Sequence, residues 1–180
     1  MNMTRHALQH MRPRRQGVIA NFGSLVSWQG LPGASYYSST KYAVTGFTET
    51  VHQEVSAFGI SAVVIEPGYF RTGFLNEGGS NRIRAAKPLM EEYKNTPVNV
   101  TRDRLNSVDN YQPGDVVKGA KVIVDVLTQT GVAEGKKIPV RLVLGRDAFE
   151  AIKDKIQSTE ALIKEWEDII VSTDHDDVKK

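Results

Sequence analysis

Two short apolar runs on either side of one amphipathic stretch constrain the fold of this chain more than any other feature. Residues 17–22 read Gly-Val-Ile-Ala-Asn-Phe and end at Gly23, and residues 60–66 read Ile-Ser-Ala-Val-Val-Ile-Glu and close on Pro67-Gly68. Runs of this length, bounded by glycine and proline, have the pattern of strands buried on both faces in a parallel sheet. Between them Val44, Phe47, Val51, Val55 and Phe58 recur at three- and four-residue steps, with Ser35 placed to cap a helix and Gly59 to stop it. Strand, helix, strand at this spacing is a βαβ crossover. Chemistry in such folds sits just past the carboxyl ends of the strands.

The flanks extend the same pattern. Residues 4–11 read as the tail of a helix, with Leu8 and Met11 three apart, and Pro13 with Arg14 and Arg15 ends it. Residues 69–110 lose periodicity around Glu77-Gly78-Gly79-Ser80, which predicts a long loop with short helical pieces. Loops of that length inside a compact domain are usually functional, and residues 73–110 are the expected substrate-loop region. Pro113 opens a predicted helix through Leu127 with Val116, Val117, Ala120, Val124 and Leu127 on one face; residues 141–144 are a third strand, and residues 146–180 an acidic helical tail. With 180 residues, 40% of them apolar, there is enough for one core and too little for two ordinary domains.

Composition removes several classes of function. Zero cysteines exclude disulfides, thiolate zinc sites and a cysteine nucleophile, and fit a cytoplasmic address. Neither a secretory apolar segment nor a stretch long enough to span a bilayer is present, so a soluble protein without a membrane partner is expected, and Asn2-Met3-Thr4 and Asn99-Val100-Thr101 are incidental matches to the glycosylation pattern. A formal charge of +2 does not point to nucleic acid, and Arg5, Arg12, Arg14 and Arg15 read as a solvated helix end. His6 and His10 have helical spacing, but Ala7 stands where a His-Glu-x-x-His site has its glutamate and no third ligand is evident, so no metal is expected.

Tyr37 and Lys41 are four apart at the start of the long helix, which places both on one face, one turn apart. A tyrosine hydroxyl with an ordinary pKa of roughly 10 is a poor acid–base group at neutral pH. An ammonium about 4 Å away, at an effective dielectric of about 20, contributes roughly 4 kcal/mol, an upper guide equal to about three pKa units. Tyr36 would pair with Thr40 and Tyr42 with Gly46, so only Tyr37 has a cation one turn on. Ser24, at the mouth of the first strand, is placed to hydrogen-bond a reacting oxygen.

Ser24, followed thirteen positions later by Tyr37-Ser38-Ser39-Thr40-Lys41, resembles the serine and Tyr-x-x-x-Lys signature of the short-chain dehydrogenase/reductase family. The strand Val18-Ile19-Ala20-Asn21-Phe22-Gly23 is similar to the family's central catalytic strand, and Ile65-Glu66-Pro67-Gly68-Tyr69-Phe70-Arg71-Thr72 resembles the segment that closes over the nicotinamide. The resemblance runs from about Thr4 to Leu144. It implies an α/β fold with a Rossmann-type parallel sheet and flanking helices, acting on a small-molecule secondary alcohol or carbonyl with NAD or NADP. In that reading Tyr37 exchanges the proton with the substrate oxygen, Lys41 lowers its pKa and holds the nicotinamide ribose, and Ser24 orients the carbonyl or alcohol. Pro67, Gly68 and Thr72 border the nicotinamide ring, with backbone groups near Tyr69 and the Thr72 hydroxyl on its carboxamide or phosphates. The resemblance also implies a homo-oligomer packed through the helix after Ser35.

Nothing in the sequence resembles the family's opening strand and Gly-rich turn, its cofactor-selecting residue, its Asn-Asn-Ala-Gly strand or the asparagine that completes a tetrad; Asn2 is not in register for it. About three βα units, on the order of a hundred residues, are missing from the pattern. The expectation is a sheet truncated at its amino-terminal side with one exposed edge, from a truncated gene model, a processed fragment or a diverged remnant. The rival to an enzyme is a catalytically silent fragment or an interaction or regulatory remnant. For the acidic tail with Trp166, a cover for the substrate pocket, a neighbouring subunit and another partner all remain open.

Overall fold

The computed structural model describes residues 2–76, 88–175 and 177–178. The elements are α1 (Asn2–Arg14), β1 (Gly17–Phe22), α2 (Ser35–Val55), β2 (Ile60–Pro67), α3 (Pro97–Ser107), α4 (Val116–Thr128), β3 (Arg141–Leu144) and α5 (Arg146–Val171), with 3-10 turns between them. The strands form a parallel sheet in the order β1-β2-β3. Gly17 pairs with Ile60 through to Phe22 with Ile65, and Val64 with Arg141 through to Pro67 with Leu144. This is the α/β arrangement of a Rossmann-type sheet with flanking helices, and all three strands deliver their carboxyl ends to one edge.

The core lies between that sheet and the first two helices. Ile19, Val51, Val55, Ile60 and Ala62 are buried together, with Leu8, Met11 and Phe47 packed against them. Alternation along the strands sends Ile19, Ile60 and Ala62 to the same face, and α1 and α2 cover it. The turn from α2 into β2 needs Gly59, whose φ of 68° is in the left-handed region and whose added Cβ would lie 2.5 Å from the Arg15 carbonyl oxygen.

Several expectations are corrected. β1 is buried on one face only: Ile19 is buried, whereas Val18 is 36% and Phe22 56% exposed, because α1 and α2 pack on the face that carries Ile19. Ser35 is the first residue inside α2 and Ala34 is the cap; Ser38 instead accepts a hydrogen bond from the Leu31 N–H at 3.2 Å and ties the preceding loop down. α2 buries Thr45 and Thr48 beside Val51 and Val55, while Val44 and Phe47 are half-buried and Phe58 falls in a separate 3-10 turn. Thr48 is accommodated because its hydroxyl accepts from Asn21 at 2.9 Å and donates to the Val44 carbonyl at 2.7 Å.

α1 runs through Pro13 to Arg14, further than expected. α4 starts at Val116 with Asp115 as cap, and the positions it buries are Gly119 and Asp125, leaving Val116, Val117 and Val124 exposed. It approaches the loop after β2 at Gly119, where a Cβ would meet the Phe70 ring. The region expected as a long loop with short helical pieces contains one eleven-residue helix among the described residues, α3, with Pro97 at its start. Glu77 to Ser80 lie outside the described residues.

Candidate active site at the carboxyl edge of the sheet

The chain leaves β1 at Phe22, and a 3-10 turn (Leu25–Ser27) begins at once with Ser24 as its cap. Ser24 Oγ accepts from the Val26 N–H at 3.3 Å, and the Ser24 N–H donates to Ser27 Oγ at 3.3 Å. The Ser24 hydroxyl thus accepts one hydrogen bond, and among the described residues its proton meets no acceptor, which leaves it to be donated outward. Ser27 Oγ donates to the Lys41 carbonyl at 3.2 Å, which joins the serine turn to the helix carrying Tyr37 and Lys41.

Helical register sorts the three tyrosines as the spacing argued. Tyr36 is 90% exposed, whereas Tyr37 is half-buried, with its ring centroid 6.2 Å from that of Phe74 and the Lys41 ammonium 5.7 Å from its centre. Lys41 Nζ donates to the Phe22 carbonyl at 2.9 Å, so helix and strand end are tied by the same side chain. Burial pushes the Lys41 ammonium below the ordinary lysine range. Ser24, Tyr37 and Lys41 thus converge on the mouth of β1.

Pro67 ends β2, and the Gly68 N–H donates to the Leu144 carbonyl at 2.8 Å. The Tyr69 N–H donates to Asp147 Oδ2 at 2.6 Å and its carbonyl accepts from the Gly114 N–H at 2.9 Å. Burial first, with Asp147 and Tyr37 adding to it and Arg104 opposing, raises the Tyr69 phenol above its ordinary value. Thr72 is exposed and its hydroxyl accepts from the Phe74 N–H at 3.3 Å. Tyr69, Arg104, Leu105, Val108, Pro113 and Asp147 enclose a niche of about 100 Å³ between this segment and α3. A larger concavity of about 450 Å³ contains neither Tyr37 nor Lys41; Gly30, Pro32 and Tyr42 are on its wall.

Asp147 sits where a Gly68 side chain would be: a Cβ there would overlap its carboxylate. Gly68→Ala is therefore expected to displace Asp147 from the Tyr69 N–H, at a cost of about 1–3 kcal/mol. Adding Asp147→Ala should recover part of that loss. Thermal melts of the single and double variants check it, and equal melting of Gly68→Ala and the parent would refute it.

Behind the serine turn is a polar cluster that sequence reasoning missed. Glu66 is fully buried and receives Arg141 Nε at 2.9 Å, Arg141 Nη2 at 2.7 Å, Trp28 Nε1 at 2.9 Å and Thr45 Oγ1 at 3.0 Å. The Arg141 guanidinium lies 3.6 Å over the Trp28 ring and its Nη1 is 3.4 Å from Glu49. β2, β3, α2 and the serine turn are thereby tied to one carboxylate. The available signal was a glutamate closing a Val-Val-Ile run, since a charge in a buried strand requires partners.

A model of the short chain dehydrogenase family matches residues 1–82. The chain is 29% identical over 171 residues to Oxidoreductase BOA17 of Botryotinia fuckeliana, covering 95% of this chain and 58% of that protein. It is 39% identical over 74 residues to a 3-ketodihydrosphingosine reductase of Bacteroides thetaiotaomicron, covering 41% of this chain and 28% of that protein. Among solved structures, a short-chain dehydrogenase from Streptomyces avermitilis superposes with a TM-score of 0.80 at 34% identity, over 96% of this chain and 58% of that one. The chain spans a little over half the length of the two proteins it matches end to end.

Proposed function

Because this chain belongs to the short-chain dehydrogenase/reductase family, we propose that Ser24, Tyr37 and Lys41 form the proton-transfer centre of an oxidoreductase that interconverts a secondary alcohol and a carbonyl compound with NAD or NADP. The observation that carries this reading is the arrangement of a half-buried Tyr37 beside the Lys41 ammonium, with Ser24 at the mouth of the strand to which that lysine is bonded.

When bound, the nicotinamide supplies or accepts the hydride. Tyr37 gives its hydroxyl proton to the substrate oxygen in reduction and recovers it in oxidation. The Lys41 ammonium, 5.7 Å from the centre of the Tyr37 ring, offsets the negative charge that develops on the phenol oxygen as its proton is transferred. One ammonium N–H of Lys41 is held by the Phe22 carbonyl, which leaves two donors for ribose hydroxyls. Ser24 donates its hydroxyl proton to the substrate oxygen and so fixes its position.

The residues fit the nicotinamide end of such a cofactor. Lys41 would offer donors to the ribose, and Pro67, Gly68 and Thr72 would border the ring. Tyr69 contributes its ring and not its N–H, which Asp147 occupies. The 180 residues contain no Gly-rich turn of the kind that receives a pyrophosphate. The substrate loop, of which α3 is the described helix, would cover a small alcohol or carbonyl.

Titration of the chain with NADH and NADPH, followed by fluorescence and thermal melting together, tests the proposal. Saturable binding is expected, with a stability gain of about 2.7 kcal/mol at a hundredfold excess over Kd. A folded chain whose emission and melting ignore both cofactors would favour the silent remnant instead.

A further inference from the structure

α5 is 26 residues long, about 39 Å at 1.5 Å per residue, and only its first turns are packed. Ala148 and Ile152 are buried and Asp147 holds the Tyr69 N–H, but every residue from Glu160 to Val171 is exposed. The apolar stripe that begins in the core continues bare along the overhang. Ile156, Leu162, Ile163, Trp166, Ile169 and Ile170 are each between 46% and 60% exposed.

The spacing of the stripe points to what it meets. Positions 149, 152, 156, 159, 163, 166 and 170 are Phe, Ile, Ile, Thr, Ile, Trp and Ile, alternating steps of three and four over the whole helix. A seam with a 3.5-residue repeat meshes with another helix. Its flanks name the other helix: Lys153, Glu160, Lys164 and Glu167 alternate in sign along one side, and none of them forms an ion pair in the chain among the described residues.

We propose that the α5 seam pairs with the same seam of a second copy of this chain in an antiparallel, two-fold dimer. An axis level with residue 162 sets Lys164 of each chain against Glu160 of the other and Glu167 against the uncharged Gln157. A parallel pair would instead align two distal halves that each carry Glu160, Glu165, Glu167 and Asp168 against Lys164 alone. The same acidic excess disfavours an anionic membrane. The six half-exposed side chains offer on the order of 600 Å² per chain, near the ~800 Å² per partner of a standard interface. This surface is separate from α2, the helix through which the family resemblance implies association.

Sedimentation equilibrium of the full chain, with far-UV circular dichroism for folding, tests the proposal. The parent is expected to dimerise, and Ile163→Glu with Ile170→Glu to give a folded monomer. Lys164→Glu should weaken association about tenfold, and adding Glu160→Lys should restore it. Because the chain has no cysteine, single introduced thiols report orientation: Ile163→Cys, near the two-fold axis, should form an interchain disulfide, and Val171→Cys should not. A chain that stays monomeric up to its solubility limit, a dimer that ignores the Ile163→Glu and Ile170→Glu pair, a charge swap that fails to restore association, or ready crosslinking through Val171→Cys would each overturn it.

Discussion

Replacing Tyr37 by phenylalanine is expected to lower turnover by about 10²–10⁴-fold, the usual worth of a positioned proton-transfer group. The fold should barely respond. The ring contact with Phe74 survives the change, and the Tyr37 hydroxyl is held by no other group among the described residues, so nothing is left unpaired by its removal. Cofactor affinity should also persist, because Lys41 keeps its bond to the Phe22 carbonyl and its remaining donors. Tyr36→Phe is the matched control, one residue away and almost fully exposed. Steady-state kinetics and melting curves on both variants decide the matter: a Tyr37→Phe protein with near-parental kcat would remove the tyrosine from the chemistry.

Replacing Glu66 by alanine is expected to have the largest effect on stability, a loss of about 3–5 kcal/mol. Four donors converge on this carboxylate, and its removal leaves the Arg141 guanidinium without its bidentate partner and the Trp28 and Thr45 donors without acceptors. For a chain of this size the loss corresponds to a fall in Tm of about 6–20 °C. The asymmetry is informative. Replacing Glu66 and Arg141 together by methionine removes both charges and their desolvation cost, and should leave a protein much closer to the parent than either single change. Urea denaturation of the two singles and the double measures this directly, and a Glu66→Ala protein within 1 kcal/mol of the parent, roughly the worth of an exposed ion pair, would show the cluster to be marginal.

Elements set by local pattern were legible in the sequence. The bounds of β1 and β3 follow the apolar runs, β2 extends one residue further, and the four-residue interval between Tyr37 and Lys41 suffices to tell the half-buried tyrosine from its exposed neighbour. What covers an apolar face was not legible, because that is decided by segments distant in sequence: Val18 and Phe22 in β1, and Val116, Val117 and Val124 in α4, look like core residues in the sequence and are exposed. Polar substitutes were equally hidden. Ser38 takes a structural hydrogen bond, whereas Ser35, the expected cap, lies inside α2, and Asp147 reaches Tyr69 across 78 residues. Glu66 and Arg141 are 75 apart, and only the oddity of a charge inside each strand hints at their pairing.

The two tryptophans divide the molecule into two optical channels. Trp28 lies against the Arg141 guanidinium and donates to Glu66, so its emission answers to whether β2, β3 and the serine turn remain locked together. Trp166 is half-exposed on the outer seam of α5, where its surroundings change with protein concentration if chains pair and otherwise stay constant. With either indole replaced by phenylalanine, unfolding and association become separable signals from the same chain, without an added dye.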